Sequence, residues 1–461
     1  MLTLLDFQER SLNGPVMKMD DFDVNIAKKS RQIVKKYAQI KYNPEELIVN
    51  DETADAVFQA AIEFSVATGV LNIDTQRIVN WSKEELEEVA QWYRENPTSR
   101  NFGRGKDEHT VRPRTGQDTR PPVTWTSNSG VIPEEWFIPY LQSTAQEEVV
   151  QGLGIAGGLA AIQGRPPKAG TPSEILAGLH ESELQMEALR RAGRPHLHLG
   201  LIPTVSTTAA TAAVLAQGLR GSHNSMIGIH IVPEQKIDWE RLNLITLCQE
   251  LGISPWVSAM SVLGGLTGGP VGVAIAVTAN FIEQLSLSRG KLGSIYVNDM
   301  RGRNSHREAL WAYSAAMRAV ERNIGVATGT GAGDSSACFS VEESILRGVT
   351  VAAAVTASGC AYNWGAGNTG IVARIQHEVM KNIAGMSREK VNSILNALSA
   401  KLEEMDKAGG DPLPFGTLIF PNLYDVETLK PKPAYVTQCK NVVEILAAQG
   451  VPISADLSLD Y

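Results

Sequence analysis

Apolar and polar positions alternate along the chain with two rhythms. Up to about residue 125 the apolar residues recur at helical spacing. Ser82-Lys-Glu-Glu85, a capping box, predicts a helix start ahead of LEEVAQWYRE. From about 126 short β-type runs alternate with helix-length segments. The predicted strands are HLHLGL (196–201), SMIGIHIV (225–232), SPWVSAM (254–260), GSIYVNDM (293–300), IGVATGT (324–330) and TVAAAVTA (350–357), with a first near 149–156 and an eighth near 416–421. Segments 270–288, 304–323 and 370–384 are the helices between them. This alternation calls for a parallel sheet with crossover helices. The count fits a (β/α)8 TIM barrel carrying an N-terminal helical extension, with residues 1–125 as the extension and 126–461 as the barrel domain. An open doubly wound sheet has the same periodicity, which does not show closure. Met386 to Lys407 reads as an amphipathic helix with Val391, Ile394, Leu395, Leu398, Leu402 and Met405 on one side.

Composition narrows the class. Of the 461 residues 43% are hydrophobic and 20% charged, and the net charge of −8 argues against nucleic-acid or anionic-membrane binding. Four scattered cysteines form no CxxC pair and fit a reducing compartment. The acidic N-terminus lacks the pattern of a signal peptide, and the longest apolar run, Pro270 to Ile282, is short for a bilayer. The expected location is cytoplasmic.

Local motifs carry limited chemistry. GLGIAGG (152–158) matches GxGxxG, but the acidic residue a dinucleotide site needs about 20 positions on falls in a proline-rich loop. VATGTGAGDSS (326–336) lacks a P-loop ending, and GGLTGGPVG (264–272) marks a helix start. Both leave room for something bulky near a strand end, where a barrel keeps its active site. FGRGKDEHTVRPRTGQDTRPP mixes five basic residues with acids and reads as a solvated ordered loop or an anion site. His196 and His198 share a strand face with Gly200, and His230 sits on the next strand. Three imidazoles fit zinc with an open fourth position, or buried histidines hydrogen-bonded to neighbours. Asp299, at a strand end, is the nearest added carboxylate. Tyr362 and Trp364 follow another strand end, where rings line a mouth or simply pack.

Several longer signatures keep order and spacing over about 300 residues: Asp74-Thr-Gln-Arg77-Ile-Val, VQGLGIAG, AGRP (192–195), KID (236–238), GG…GG (264–269), NSHRE (304–308) and GIVAR (370–374). Together they resemble the monomethylamine methyltransferase family, whose members pass a methyl group to a cognate corrinoid protein. The resemblance implies a barrel enzyme with no tightly bound cofactor, a corrinoid partner docking at the mouth, and a homo-oligomer. Family members carry pyrrolysine shortly after AGRP, and counting from that signature places Gly200 there. The family's carboxylate after GG…GG corresponds to Val271 and Gly272, and its glutamine and tyrosine to Ala327 and Gly329.

These departures imply a wider cavity and a substrate other than monomethylamine. A quaternary ammonium already has a neutral amine as leaving group, so transfer of its methyl to Co(I) needs no proton. The leading expectation is therefore demethylation of a quaternary or bulky N-methylated amine. His196 and His198 would act directly, with Gly200, His230, Asp299, Ala327, Gly329, Tyr362 and Trp364 around the substrate. The alternatives are a zinc enzyme using His196, His198 and His230 on an O- or S-methyl donor, or a non-catalytic amine-binding barrel.

Overall fold

The computed structural model describes residues 2–128, 130–230, 234–331, 338–365, 369–414, 416–454 and 457–459. Four helices lead: α1 (Leu4–Asn13), α2 (Met19–Lys36), α3 (Asp51–Thr68) and α4 (Lys83–Glu95). The capping box at α4 forms as read, with the Ser82 hydroxyl accepting from the Glu85 amide. Eight strand–helix units follow. The first four strands are Val123–Ser127, Gly152–Ile155, 198–201 and Ile227–His230; the last four are Pro255–Leu263, Leu292–Asp299, Ala327–Thr330 and Tyr362–Asn363. Each leads into its helix: α5 (Glu134–Ala145), α6 (Pro172–Arg191), α7 (Thr208–Ala216), α8 (Trp239–Glu250), α9 (Pro270–Ser288), α10 (Arg307–Asn323), α11 (Val341–Ala357) and α12 (Gly370–Ile383).

Seven strands pair in parallel in one sheet. The third closes the ring. It bridges the second at Gly152–His198 and Ile155–Leu201, and it meets the chain entering the fourth through Leu199 N to Asn224 O (3.0 Å) and Met226 N to Gly200 O (2.9 Å). The sheet is thus a barrel rather than an open doubly wound sheet.

Three details differ from the sequence reading. The barrel begins with Val123–Ser127, just ahead of the expected boundary, so the strand near 149–156 is the second. TVAAAVTA is the C-terminal half of α11, a helix with no polar face to mark its period. Residues 416–421 hold no strand; the eighth is Tyr362–Asn363, only two residues long.

The helical extension packs on the outside. α3 lies against α9 and α10, which explains why α9 is buried on every side. That helix is long and apolar enough to cross a membrane, yet 94% of its apolar window is buried in the fold. The expected amphipathic tail is α13 (Arg388–Ala408), with Val391, Ile394, Leu395, Leu398 and Leu402 buried.

The long-range signatures are joints. Asp74 accepts from the Trp239 amide (2.7 Å), Asp238 caps α8, and Lys236 pairs with Asp23. Arg194 of AGRP holds the carbonyls of Ala145, Glu147 and Val150 together with Asp107 (2.8 Å). Arg374 pairs with Glu147 (2.7 Å).

A hairpin, Arg100–Phe102 with His109–Val111, plugs the end of the barrel where the strands begin. Phe102 and Val111 enter the inner cluster, and the buried Arg100 guanidinium donates to the carbonyls of Ser254, Ser222 and Ser225. The Arg-rich stretch is therefore neither a solvated loop nor an anion site throughout. Arg114 is buried and spends its donors on the carbonyls of Arg120, Thr356, Cys360 and Asp118.

Candidate active site

Side chains alternate along each strand, so every second residue faces the barrel axis. Those positions carry Trp125, Trp256, Leu292, Tyr362 and Trp364, all at most 1% exposed. The rings pack on one another: Trp125 and Tyr362 at 4.5 Å between centroids, Trp256 and Trp364 at 4.9 Å. Their polar atoms are satisfied inside the ring. The Trp256 indole donates to the Tyr362 hydroxyl (2.8 Å), which donates in turn to the Gly293 carbonyl (2.7 Å). Burial pushes the Tyr362 phenol far above its ordinary pKa.

The glycines of the inner wall are notches for these rings. A β-carbon at Gly154 or Gly331 would overlap Trp364, and one at Gly329 would overlap Tyr362. One at Gly152 would lie 2.9 Å from Trp125. This accounts for GLGIAGG without a dinucleotide, and it corrects the expectation of a widened hollow. The space beside Ala327 and Gly329 is taken by the chain's own aromatics. Gly200 lies on the third strand with φ +64°, and a β-carbon there would overlap the Gly154 carbonyl. On this backbone position 200 has no room for a side chain.

The histidines do not converge. His196 is exposed, ahead of the third strand, at the plugged end. His198 is fully buried one layer in, its ring 4.1 Å from Phe102 and 4.7 Å from Trp125, and neither ring nitrogen has a hydrogen-bond partner. Burial drives its pKa well below the ordinary value, so it is neutral. His109 stands nearby, pushed down to about 4 by burial; it accepts from the Trp125 indole at 3.0 Å. His230 ends the fourth strand, and its side chain lies outside the described residues, as do 231–232, 332–336 and 366–368 of the motifs above. Among the described residues no group of three His, Cys, Asp or Glu side chains gathers into a metal site. Asp299 is set apart as well. Its carboxylate accepts from Arg301 (2.6 Å) and lies 3.0 Å from His306 Nδ1, an arrangement that holds it far below the usual carboxylate range and fixes the loop into α10.

What the structure does bring together is His198, Ala327, Gly329, Tyr362 and Trp364, as the packed floor of the barrel. Above it Ile155, Leu201, Met260, Tyr296 and Asn298 are half-buried on inward positions at the C-terminal ends of their strands. This open end is where barrel enzymes place their chemistry. Its walls are uncharged: among the described residues Asp299 is the one ionised group on the eight strands, and it is paired. Trp125, Trp256 and Tyr296 were missed as site residues. Their signal was the repeated aromatic at alternate strand positions, VTWTS, PWVS and SIYV.

A (β/α)8 barrel plugged at one end and open at the C-terminal ends of its strands, where barrel enzymes work, defines the class. The profile of the monomethylamine methyltransferase MtmB family matches residues 2–451. The chain is 27% identical over 455 residues to monomethylamine methyltransferase MtmB of Methanosarcina mazei, and 27% identical over 455 residues to MtmB2 of Methanosarcina acetivorans, covering 94% of each chain in both cases. Its fold superposes on the crystal structure of the Methanosarcina barkeri monomethylamine methyltransferase with a TM-score of 0.88 at 23% identity, over 97% of this chain and 98% of that one; a hydroxylamine MtmB complex matches equally. The chain belongs to the MtmB family and is a corrinoid-dependent methyltransferase.

Proposed function

We propose that the enzyme transfers a methyl group to the Co(I) of a partner corrinoid protein from a quaternary or bulky N-methylated amine, not from monomethylamine. The observation that carries this reading is that, among the described residues, the inward strand positions of the mouth hold no charged side chain. Protonated monomethylamine presents three N–H donors, which cost free energy when buried without acceptors. A quaternary ammonium has no N–H to satisfy and is stabilised over a ring face by about 0.5–2 kcal/mol. Tyr296, half-buried beside Trp256 and in register with Met260 on the neighbouring strand, is the ring for it. In the reaction the methyl carbon–nitrogen bond breaks as a carbon–cobalt bond forms. The nitrogen keeps its electron pair and leaves as a neutral tertiary amine. The chain's contribution is placement of the methyl in line with the cobalt.

Docking of the corrinoid protein at the mouth is supported by the rim. Val131, Leu266 and Met300 are exposed apolar residues that follow the C-terminal ends of the first, fifth and sixth strands. A cytoplasmic homo-oligomer belongs to the same reading and rests on the family resemblance.

The test mixes enzyme, its corrinoid partner reduced to Co(I), and a panel of methylated amines. Quaternary amines should give the methyl-Co(III) spectrum. A spectrum with monomethylamine alone would overturn the proposal.

A further inference from the structure

The ring of strands is not equally sealed all round. Beyond Met226 N to Gly200 O, no hydrogen bond joins the third and fourth strands among the described residues. The Arg220 guanidinium takes up the Gly200 and Leu201 carbonyls instead, at 2.8 and 3.0 Å. Above that point the strands part, and the seam holds a cavity of about 220 Å³. Its walls are mixed: Leu201, Pro203, Met226 and Leu244 are apolar, and Ser206 and Thr211 add hydroxyls. Leu201 also stands on the inner wall of the mouth, so seam and mouth adjoin.

One cation lines this cavity, Arg241 in the first turn of α8. Its Nη1 reaches the Ser206 carbonyl at 3.3 Å, while its buried Nε has no hydrogen-bond partner. No carboxylate pairs with it among the described residues. The adjacent Glu240 is spent on the amide and hydroxyl of Thr208, and Asp238 on the amide that starts the helix. A buried donor left without a partner is destabilising, and an acceptor that meets it recovers that loss. The Nε edge of a guanidinium matches a carboxylate in bidentate geometry.

We propose that the seam receives the carboxylate end of the substrate, so that the methyl donor is a zwitterion: a trimethylammonium group joined by a short apolar stem to a carboxylate. This rests on the reading of the mouth as a quaternary-amine site and names the rest of the molecule. Arg241 takes the carboxylate, Leu201, Met226 and Leu244 take the stem, and the cation emerges in the mouth beside Tyr296, above the packed floor.

The test uses the full chain, titrated by calorimetry with a short series of trimethylammonium carboxylates and their alkyltrimethylammonium counterparts, which differ only by the carboxylate. The carboxylate members should bind roughly ten- to a hundredfold tighter, the range for a hydrogen bond to a charged group. Arg241→Met should erase that preference and leave the alkyl members unchanged. Arg241→Lys, which keeps the charge and loses the fork, should retain part of it and serves if the Met variant fails a circular-dichroism melt. Equal binding within the pairs, no binding of either member, or a preference that survives Arg241→Met overturns the proposal. Methyl transfer to the partner's Co(I) separates the two readings. An Arg241-dependent carboxylate preference without turnover of any member sustains the seam and defeats the proposed function. Turnover that ignores both the carboxylate and Arg241 does the reverse.

Discussion

Two arcs of the same barrel are held in different ways. From the fifth strand round to the second, the interior is packed: Trp125, Tyr362 and Trp364 fill notches left by Gly152, Gly154, Gly329 and Gly331, and Trp256 stacks beside Trp364. At the third strand the order comes from buried charge. Glu181 accepts from the Thr204 hydroxyl and the Leu159 amide (3.1 Å), and Glu174 gathers the amides of Ser206, Thr207 and Gly170 with both hydroxyls. Glu240 holds the start of α7. The loop after the third strand thus hangs on three carboxylates. Ring-in-notch packing leaves no space for a ligand, whereas tethering fixes a loop and still allows a cavity beneath it. The seam cavity of about 220 Å³ lies on the tethered side for that reason.

The contrast can be broken most sharply on the packed arc. Trp364→Ala should cost about 3–5 kcal/mol in urea unfolding, the usual range for emptying a large aromatic site. Gly154→Ala alone should destabilise by about 1–3 kcal/mol through overlap with that ring. The double variant should cost less than the sum of the two, because the clash has gone. Strict additivity would show that the glycine is no notch.

The tethered arc predicts a pH effect of somewhat smaller size. Burial raises the Glu181 carboxyl from 4.5 to about 7. A raised acid pKa means that the folded state resists ionisation. Its contribution is therefore fully present below about pH 4.5 and is lost as pH rises through about 7. Stability should fall by about 2.5 kcal/mol between pH 5 and pH 8 from this group, at 1.36 kcal/mol per unit. Glu181→Gln should flatten that slope. Parallel stability curves for the two proteins would refute the assignment.

At the open end of the packed arc, Tyr296→Leu should raise KM for a quaternary amine about tenfold, with Tyr296→Phe near wild type, as expected for a ring face. An equal loss in both variants would transfer the role to the hydroxyl. The smallest effect concerns His198. With both nitrogens orphaned in an aromatic pocket, His198→Phe should change stability by no more than about 1 kcal/mol and leave methyl transfer nearly intact. A collapse of kcat would restore to this imidazole the direct part its sequence position suggested.

The barrel was legible because strand and helix periods alternate so regularly. The errors lie where that contrast fades. Thr124 and Thr126 are polar yet fully buried, so the first strand looked like loop. α11 is buried along most of its length and imitates a strand in its Val- and Thr-rich half. The site was less legible because its meaning is non-local. Gly329 reads as open space until Tyr362, on the neighbouring strand, is known to lean over it. His196 and His198 read as a pair until the plug takes one side of the ring and leaves the other in water.

The hairpin corking the lower end has a kinetic consequence. With that end corked, docking of the corrinoid protein as proposed makes methyl donor and cobalt share the open end, so the donor enters first and the corrinoid domain then closes over it. The spent amine departs only when that domain lifts away. Turnover is then a compulsory queue, and a large excess of the corrinoid protein should slow the enzyme by shutting out the next donor.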